Sequence, residues 1–296
     1  MRPVSSTEKS RRSILVAILT LLAPLGARAD GPYVSDTASL LWQDNAANAA
    51  SGDGILGAYT VGAGGTASWI HSGGFSTLVL TSLSANFEVC TPFSGLDNVA
   101  VGPRLEIRHK LEVGPYAPTV YAGADAGLVG FDDPERSNAE GAIFAGYSQR
   151  FTEALQLVVE GRAGSYDAKE TVFTGSYAHL GATLNWDPNA TWRFAVTGGW
   201  RNGDTVAGYE AYRSPSGWEP IDPGAYALAG PWRYVATFRK PFLDYRVSAL
   251  TWSYGAAISP AIGRNTSVTL GFTRFETLGP DPYISDEVSL SIAHKY

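Results

Sequence analysis

Cysteine and methionine are almost missing from this chain, with one of each, Cys90 and Met1, among 296 residues. A single cysteine excludes an internal disulfide, so oxidation does not staple the fold. Past residue 29 no apolar run is long enough to cross a membrane as a helix. Metal-binding spacing is lacking too. His71, His109, His179 and His294 form no His-x-x-x-His motif and no Cys/His pairing, and no cofactor or metal is implied. What the chain has instead is 33 Gly, 15 Tyr, 12 Phe and 8 Trp, the composition of a strand-rich protein.

The first 29 residues read as an export leader. Arg2, Lys9, Arg11 and Arg12 make a positive start, SILVAILTLLAPLG an apolar core, and Ala27-Arg28-Ala29 a small-residue cleavage site, with the cut expected after Ala29. The core is short for a membrane anchor. The leader holds five of the 22 basic residues and one of the 28 acids, so residues 30–296 carry 17 basic and 27 acidic groups, a net charge of −10. That balance excludes nucleic acid as a partner.

The body of the chain alternates. In VAVGPRLEIRHKLEV, Val99 to Val113, every second residue is apolar or nearly so. Arg104, Glu106, Arg108, Lys110 and Glu112 fall between them. On a helix those charges would surround the axis; on a strand they share one face. The same period-two pattern recurs at 155–162, 177–186, 192–201, 268–273 and 288–296. Short turns are expected near 71–74, 114–116, 152–154, 187–189 and 260–265. Longer polar connections are expected at 45–54, 91–98, 131–138, 166–172 and 278–286, and one much longer connection at 202–245. Trp69, Tyr116, Tyr147, Phe151, Trp186, Trp192 and Tyr296 gather toward the short-turn side, as rings do at a membrane–water interface.

With its leader, its hairpin rhythm over 36–296 and its ending EVSLSIAHKY, the chain resembles the Gram-negative outer-membrane β-barrel proteins. The fold class this implies is all-β. It is a transmembrane antiparallel up-and-down barrel of about twelve strands, with short periplasmic turns and longer extracellular loops, filling residues 30–296 as one domain. A secreted β-sandwich is the other reading of the alternation, but its strands usually run to five or six residues, and these run to ten or more. The resemblance also implies a bacterial outer-membrane location and membrane lipid as a partner. It further implies recognition of Val288, Leu290, Ile292 and the terminal Tyr296 by the barrel-assembly machinery. Tyr stands where the family usually ends in Phe, and His294 interrupts the apolar row.

In a barrel the charged faces turn inward. Arg104, Glu106, Arg108, Lys110, Asp125, Arg150, Glu160, Arg162, Arg193 and Arg201 are the expected pore lining, with basic residues in excess. They read either as an anion-favouring pore or as a salt-bridged filling. The aromatic connection from Tyr209 to Tyr234, with Tyr212, Trp218 and Trp232, is the expected loop or gate. An outer-membrane hydrolase is the least favoured of the readings, on geometry. His109 has no Ser assigned at its level, and Asp132, Asp133 and Asp204 near the long-loop rim have no His among them. The run Gly62-Ala63-Gly64-Gly65 precedes no helix and no Lys, so it is not a phosphate loop. Cys90 receives no role. The function expected is a non-enzymatic narrow pore or channel for small polar or anionic solutes. The alternative is a closed structural or adhesion barrel that works through its extracellular loops.

Overall fold

A computed structural model of the chain describes residues 32–50, 54–220, 232–235, 237–238, 241–280 and 282–296. The leader and its cleavage site lie outside the described residues. Fourteen strands form one sheet: β1 Tyr33–Gln43, β2 Ala58–Ser72, β3 Thr77–Thr91, β4 Asn98–Lys110, β5 Thr119–Phe131, β6 Asn138–Arg150, β7 Leu155–Ala168, β8 Gly175–Trp186, β9 Trp192–Ser214, β10 Gly217–Pro220, β11 Trp232–Val235, β12 Phe242–Pro260, β13 Thr266–Leu278 and β14 Tyr283–Lys295. Twelve of them make the wall. Each pairs antiparallel with its neighbour in sequence, β1 pairs with β14, and β9 closes the ring against β12. The chain is therefore a closed twelve-stranded up-and-down barrel of the outer-membrane type, with no unpaired edge in its wall.

Alternation built this wall. Along β8 the burial of GSYAHLGATLNW switches at every residue. Outward side chains such as Leu128, Ile143 and Val196 are more than 60% exposed, so the wall presents an apolar outer face. Trp69, Tyr116, Phe151, Trp186, Trp192 and Tyr296 are exposed at the short-turn end. Tyr59, Trp252 and Tyr254 form a second set toward the long loops.

Two expectations are corrected. Strand β4 stops at Lys110, so Glu112 falls in the turn before Gly114, whose φ of +128° only a glycine adopts readily. The connection over 202–245 is also mostly strand. Strands β9 and β12 run past the wall, paired from Ser248↔Asp204 to Phe242↔Glu210, and β10 and β11 add to their free edges. The result is a small four-stranded sheet, β10–β9–β12–β11, at the long-loop mouth.

Candidate functional site

Residues opposite one another across a ladder share a face, so the register lists what the lumen sees. On one side of the barrel the inward rows carry large charged and aromatic groups. Arg104 faces Asp125, Arg108 faces Tyr121, and Phe144, Arg162, His179 and Arg201 form one transverse row across β6 to β9. These groups bind each other. Arg104 Nη2 meets Glu106 Oε2 at 2.8 Å and Arg108 clamps the same carboxylate from the other side. Arg162 Nη2 lies 2.6 Å from Asp125 Oδ1, and its Nε donates to Tyr177 at 3.0 Å. Tyr121 donates to Glu160 at 3.1 Å. The guanidinium of Arg104 sits 3.9 Å above the Phe144 ring, and that of Arg201 sits 5.0 Å from Tyr177.

The opposite side is different. From β12 through β14 and on to β3, the inward rows are mostly small and hydroxylic. They include Thr251 and Ser253, Thr273 and Thr277, Ser289 and Ser291, Thr37 and Ser39, Thr60 and Thr66, and Ser82 and Ser84. Long side chains thus project from one half of the wall toward short ones on the other. Open space remains between them: a 220 Å³ cavity beside Arg104, Asp125, Glu140 and Arg162, and a smaller one of 80 Å³ beside Ser39, Asn86 and Glu88.

Of the sequence-predicted lining residues, Arg104, Glu106, Arg108, Asp125, Glu160, Arg162 and Arg201 lie in the lumen. Lys110, Arg150 and Arg193 lie at the short-turn rim instead. Arg150 donates to the Glu153 carbonyl at 2.5 Å, and Arg193 forms a two-pronged pair with Asp187 at 2.7 and 3.0 Å. Three lumenal acids were missed: Glu88, Glu140 and Glu287. Two of them were signalled: Glu88 stands between the outward Phe87 and Val89, and Glu287 stands two residues before Ser289, in the row that faces away from Val288, Leu290 and Ile292. Along the described lumen, four arginines meet six carboxylates, so the basic excess expected from sequence does not hold there.

The four-stranded sheet forms a lid over the long-loop mouth. Phe242, Leu243, Asp244 and Tyr245 are at most 1% exposed. One side packs with Ala47, Phe93, Val172, Phe173 and Phe238, which come from the connections after β1, β3, β7 and β11. The other side buries Tyr245, Val247 and Ala249 with Ala207. Within the lid Arg136, from the β5–β6 connection, is paired with Asp244, lies 3.7 Å from Asp133, and stacks 4.3 Å from the Phe173 ring. Arg233 stands opposite Asp244 in the β11–β12 register. Asp244 lies beyond the wall. Burial pushes its carboxyl up to about 6, against the opposing pull of Arg136.

Of the predicted gate residues, Tyr209 stacks on Tyr245 with centroids 5.7 Å apart. Tyr212, Trp218 and Trp232 belong to the lid sheet by register, in β9, β10 and β11; their side chains lie outside the described residues. Val288, Leu290, Ile292 and Tyr296 are exposed on the outer surface, and Tyr296 N–H donates to the Val34 carbonyl at 3.0 Å, tying the C-terminus to β1. His109 faces outward and hydrogen-bonds Thr77, while His179 faces inward between Arg162 and Arg201. Cys90 is buried at the top of β3 in the lid core, where packing is its visible role.

No protein-family model and no curated protein matches the chain. Solved structures do. A COG4313 outer membrane channel from Pseudomonas putida F1 aligns with a TM-score of 0.54 at 11% identity, over 93% of this chain and 100% of that one. The NanC porin aligns at 0.47 and 8% identity, over 89% of this chain and 100% of that one. The β domain of the Bordetella autotransporter Brka aligns at 0.46 and 9% identity, over 90% of this chain and 100% of that one. At these identities the likeness is one of fold.

Proposed function

We propose that this barrel sits in the bacterial outer membrane as a narrow, lidded pore for small polar solutes, without enzymatic activity. The observation that carries this reading is the division of the lumen. A wall of hydroxyls faces a wall whose Arg104, Arg108 and Arg162 are held by Glu106 and Asp125, so a wet path runs between them without a free guanidinium from these three. The solved barrel it resembles at a TM-score of 0.54 is described as an outer membrane channel, which fits the reading. Its partners are membrane lipid along the apolar exterior and, during assembly, the barrel-assembly machinery that reads the last strand.

The selectivity expected differs from the sequence-based reading. With six lumenal carboxylates against four arginines, small cations and neutral solutes pass more readily than anions. A planar-bilayer recording on chain purified from outer membranes, under a salt gradient, tests both points. Stable openings with a weak cation preference support the pore. Silence from folded, inserted barrels would favour the closed, loop-working alternative, for which the packed lid is the supporting observation.

A further inference from the structure

The 220 Å³ lumenal cavity lies where the wall departs from regular pairing. Pairing between β4 and β5 runs through Val101↔Leu128, skips two positions and resumes at Arg104↔Asp125. The skipped stretch holds Gly102 and Pro103 opposite Ala126 and Gly127. Proline has no N–H to give a ladder, so residue 103 cannot satisfy a carbonyl across from it. The Ala126 carbonyl stands against Gly102, where an added Cβ would collide with it. Small residues hollow the wall here, and the backbone offers acceptor oxygen to the hollow.

The charges around the hollow are unequally engaged. Arg104 and Arg162 are already held by Glu106 and Asp125. Glu140 projects from β6 with its Oε1 3.0 Å from where a Cβ on Gly127 would lie. It is exposed to the lumen, and among the described residues it has no ion-pair or hydrogen-bond partner. Asn86 and Ser84 complete the polar lining. Arg104, Arg108 and Arg162 match Glu106, Asp125 and Glu140 in number, but the first two carboxylates hold all three guanidiniums, and Glu140 is the carboxylate left facing the space. A carboxylate without a partner, beside a carbonyl that Pro103 cannot serve with a ladder hydrogen bond, is complementary to a group that only donates.

We propose that this hollow is a binding station for a small organic cation bearing a primary ammonium, held by the Glu140 carboxylate and the Ala126 carbonyl. The assignment rests on the pore reading only for how the cation arrives; binding itself requires no conduction. The cavity is smaller than the ~300–1,000 Å³ of drug-sized pockets, so the occupant is a molecule of a few heavy atoms.

Isothermal titration of the detergent-solubilised chain with n-butylammonium, and with n-butanol as the uncharged match, tests it. The ammonium should bind, the alcohol should not, and Glu140→Gln should weaken binding about tenfold or more, the scale of a lost charge-assisted hydrogen bond. Pro103→Ala is the second variant. It restores a backbone donor to the ladder from the lipid-facing row, and it should also weaken binding while leaving the barrel folded by heat-shifted gel mobility. Equal binding of the alcohol, or undiminished binding by folded Glu140→Gln, overturns the proposal. Binding by a chain that conducts no current would sink the pore reading and leave the site standing; current without binding would do the reverse.

Discussion

Phe238 lies edge-on to Phe93, with ring centroids 5.2 Å apart, although Phe93 follows β3 and Phe238 precedes β12 on the far side of the barrel. Around the closed ring, β3 and β12 are separated by β13, β14, β1 and β2 on one side and by β4 to β9 on the other. Their contact therefore means that the lid crosses the mouth and docks on the opposite rim. Thr237 repeats the contact by donating to Asp133 at 3.1 Å. A lid docked at its far end can be held or released there.

Cross-linking that dock should shut the pore. A Cβ on Gly95 would lie 3.4 Å from the Thr237 Cβ, close to the 3.5–4.5 Å Cβ spacing that disulfides need. In a Cys90→Ala background, Gly95→Cys with Thr237→Cys should lose most of its current on oxidation and regain it with reductant. Full current from a chain shown by mass to be cross-linked would mean that solutes do not pass beneath the lid.

Arg136 bridges two carboxylates at the lid, and its removal should loosen the lid more than any single apolar truncation there. Arg136→Ala leaves Asp133 and Asp244 without the guanidinium between them, a loss of about 3–5 kcal/mol for a broken buried pair. Protease cleavage within residues 204–248 should accelerate while the wall stays resistant. Lysine in its place should rescue little, because the flat guanidinium also stacks on Phe173. Unchanged cleavage would show that apolar packing alone holds the lid.

The lid should also respond to pH. Burial lifts the Asp244 carboxyl from an ordinary 3.8 to about 6 when the lid is closed. An acid with the higher pKa in the closed state makes that state bind more protons. Closure is then strongest below about pH 4 and weakens as pH rises through 6. A difference of this size is worth about 3 kcal/mol. Open probability should rise between pH 4.5 and 7, and Asp244→Asn should flatten the profile. A profile that falls with pH, or one that is identical in the variant, would exclude Asp244 as the titrating group.

The wall was legible in the sequence and the lid was not, for one physical reason. Wall strands with an apolar outer face and a polar inner face must alternate, and Leu155–Leu157–Val159 or Val288–Leu290–Ile292 show it openly. The extensions of β9 and β12 are buried on both faces, so Phe242 and Leu243 stand side by side and the period-two signal vanishes. Their Pro and Gly neighbours then read as loop. Glu140 was hidden differently. In NAEGAIFAGY both rows are small or apolar, and only the register against Gly127 turns the carboxylate inward. Which arginine meets which acid also depends on register, and alternation along a single strand carries no register.

Glu106 is where lumenal charge can be changed most directly. It is 4% exposed and is shared by Arg104 and Arg108. Glu106→Gln removes one negative charge and also frees two guanidiniums, so the lumen moves from six acids against four bases to five against four, with the freed cations at its centre. Screened charges at contact distance interact by about 1 kcal/mol, so the cation-to-anion permeability ratio should fall roughly fivefold or less. Reversal potentials in a salt gradient read that ratio directly. Glu140→Gln removes the same charge and frees no guanidinium, so its shift should be smaller. If the two variants shift the ratio equally, the arginines are not released, and net charge alone sets the selectivity. If Glu106→Gln leaves the ratio unmoved, ions take the hydroxyl wall and do not sense the charged one.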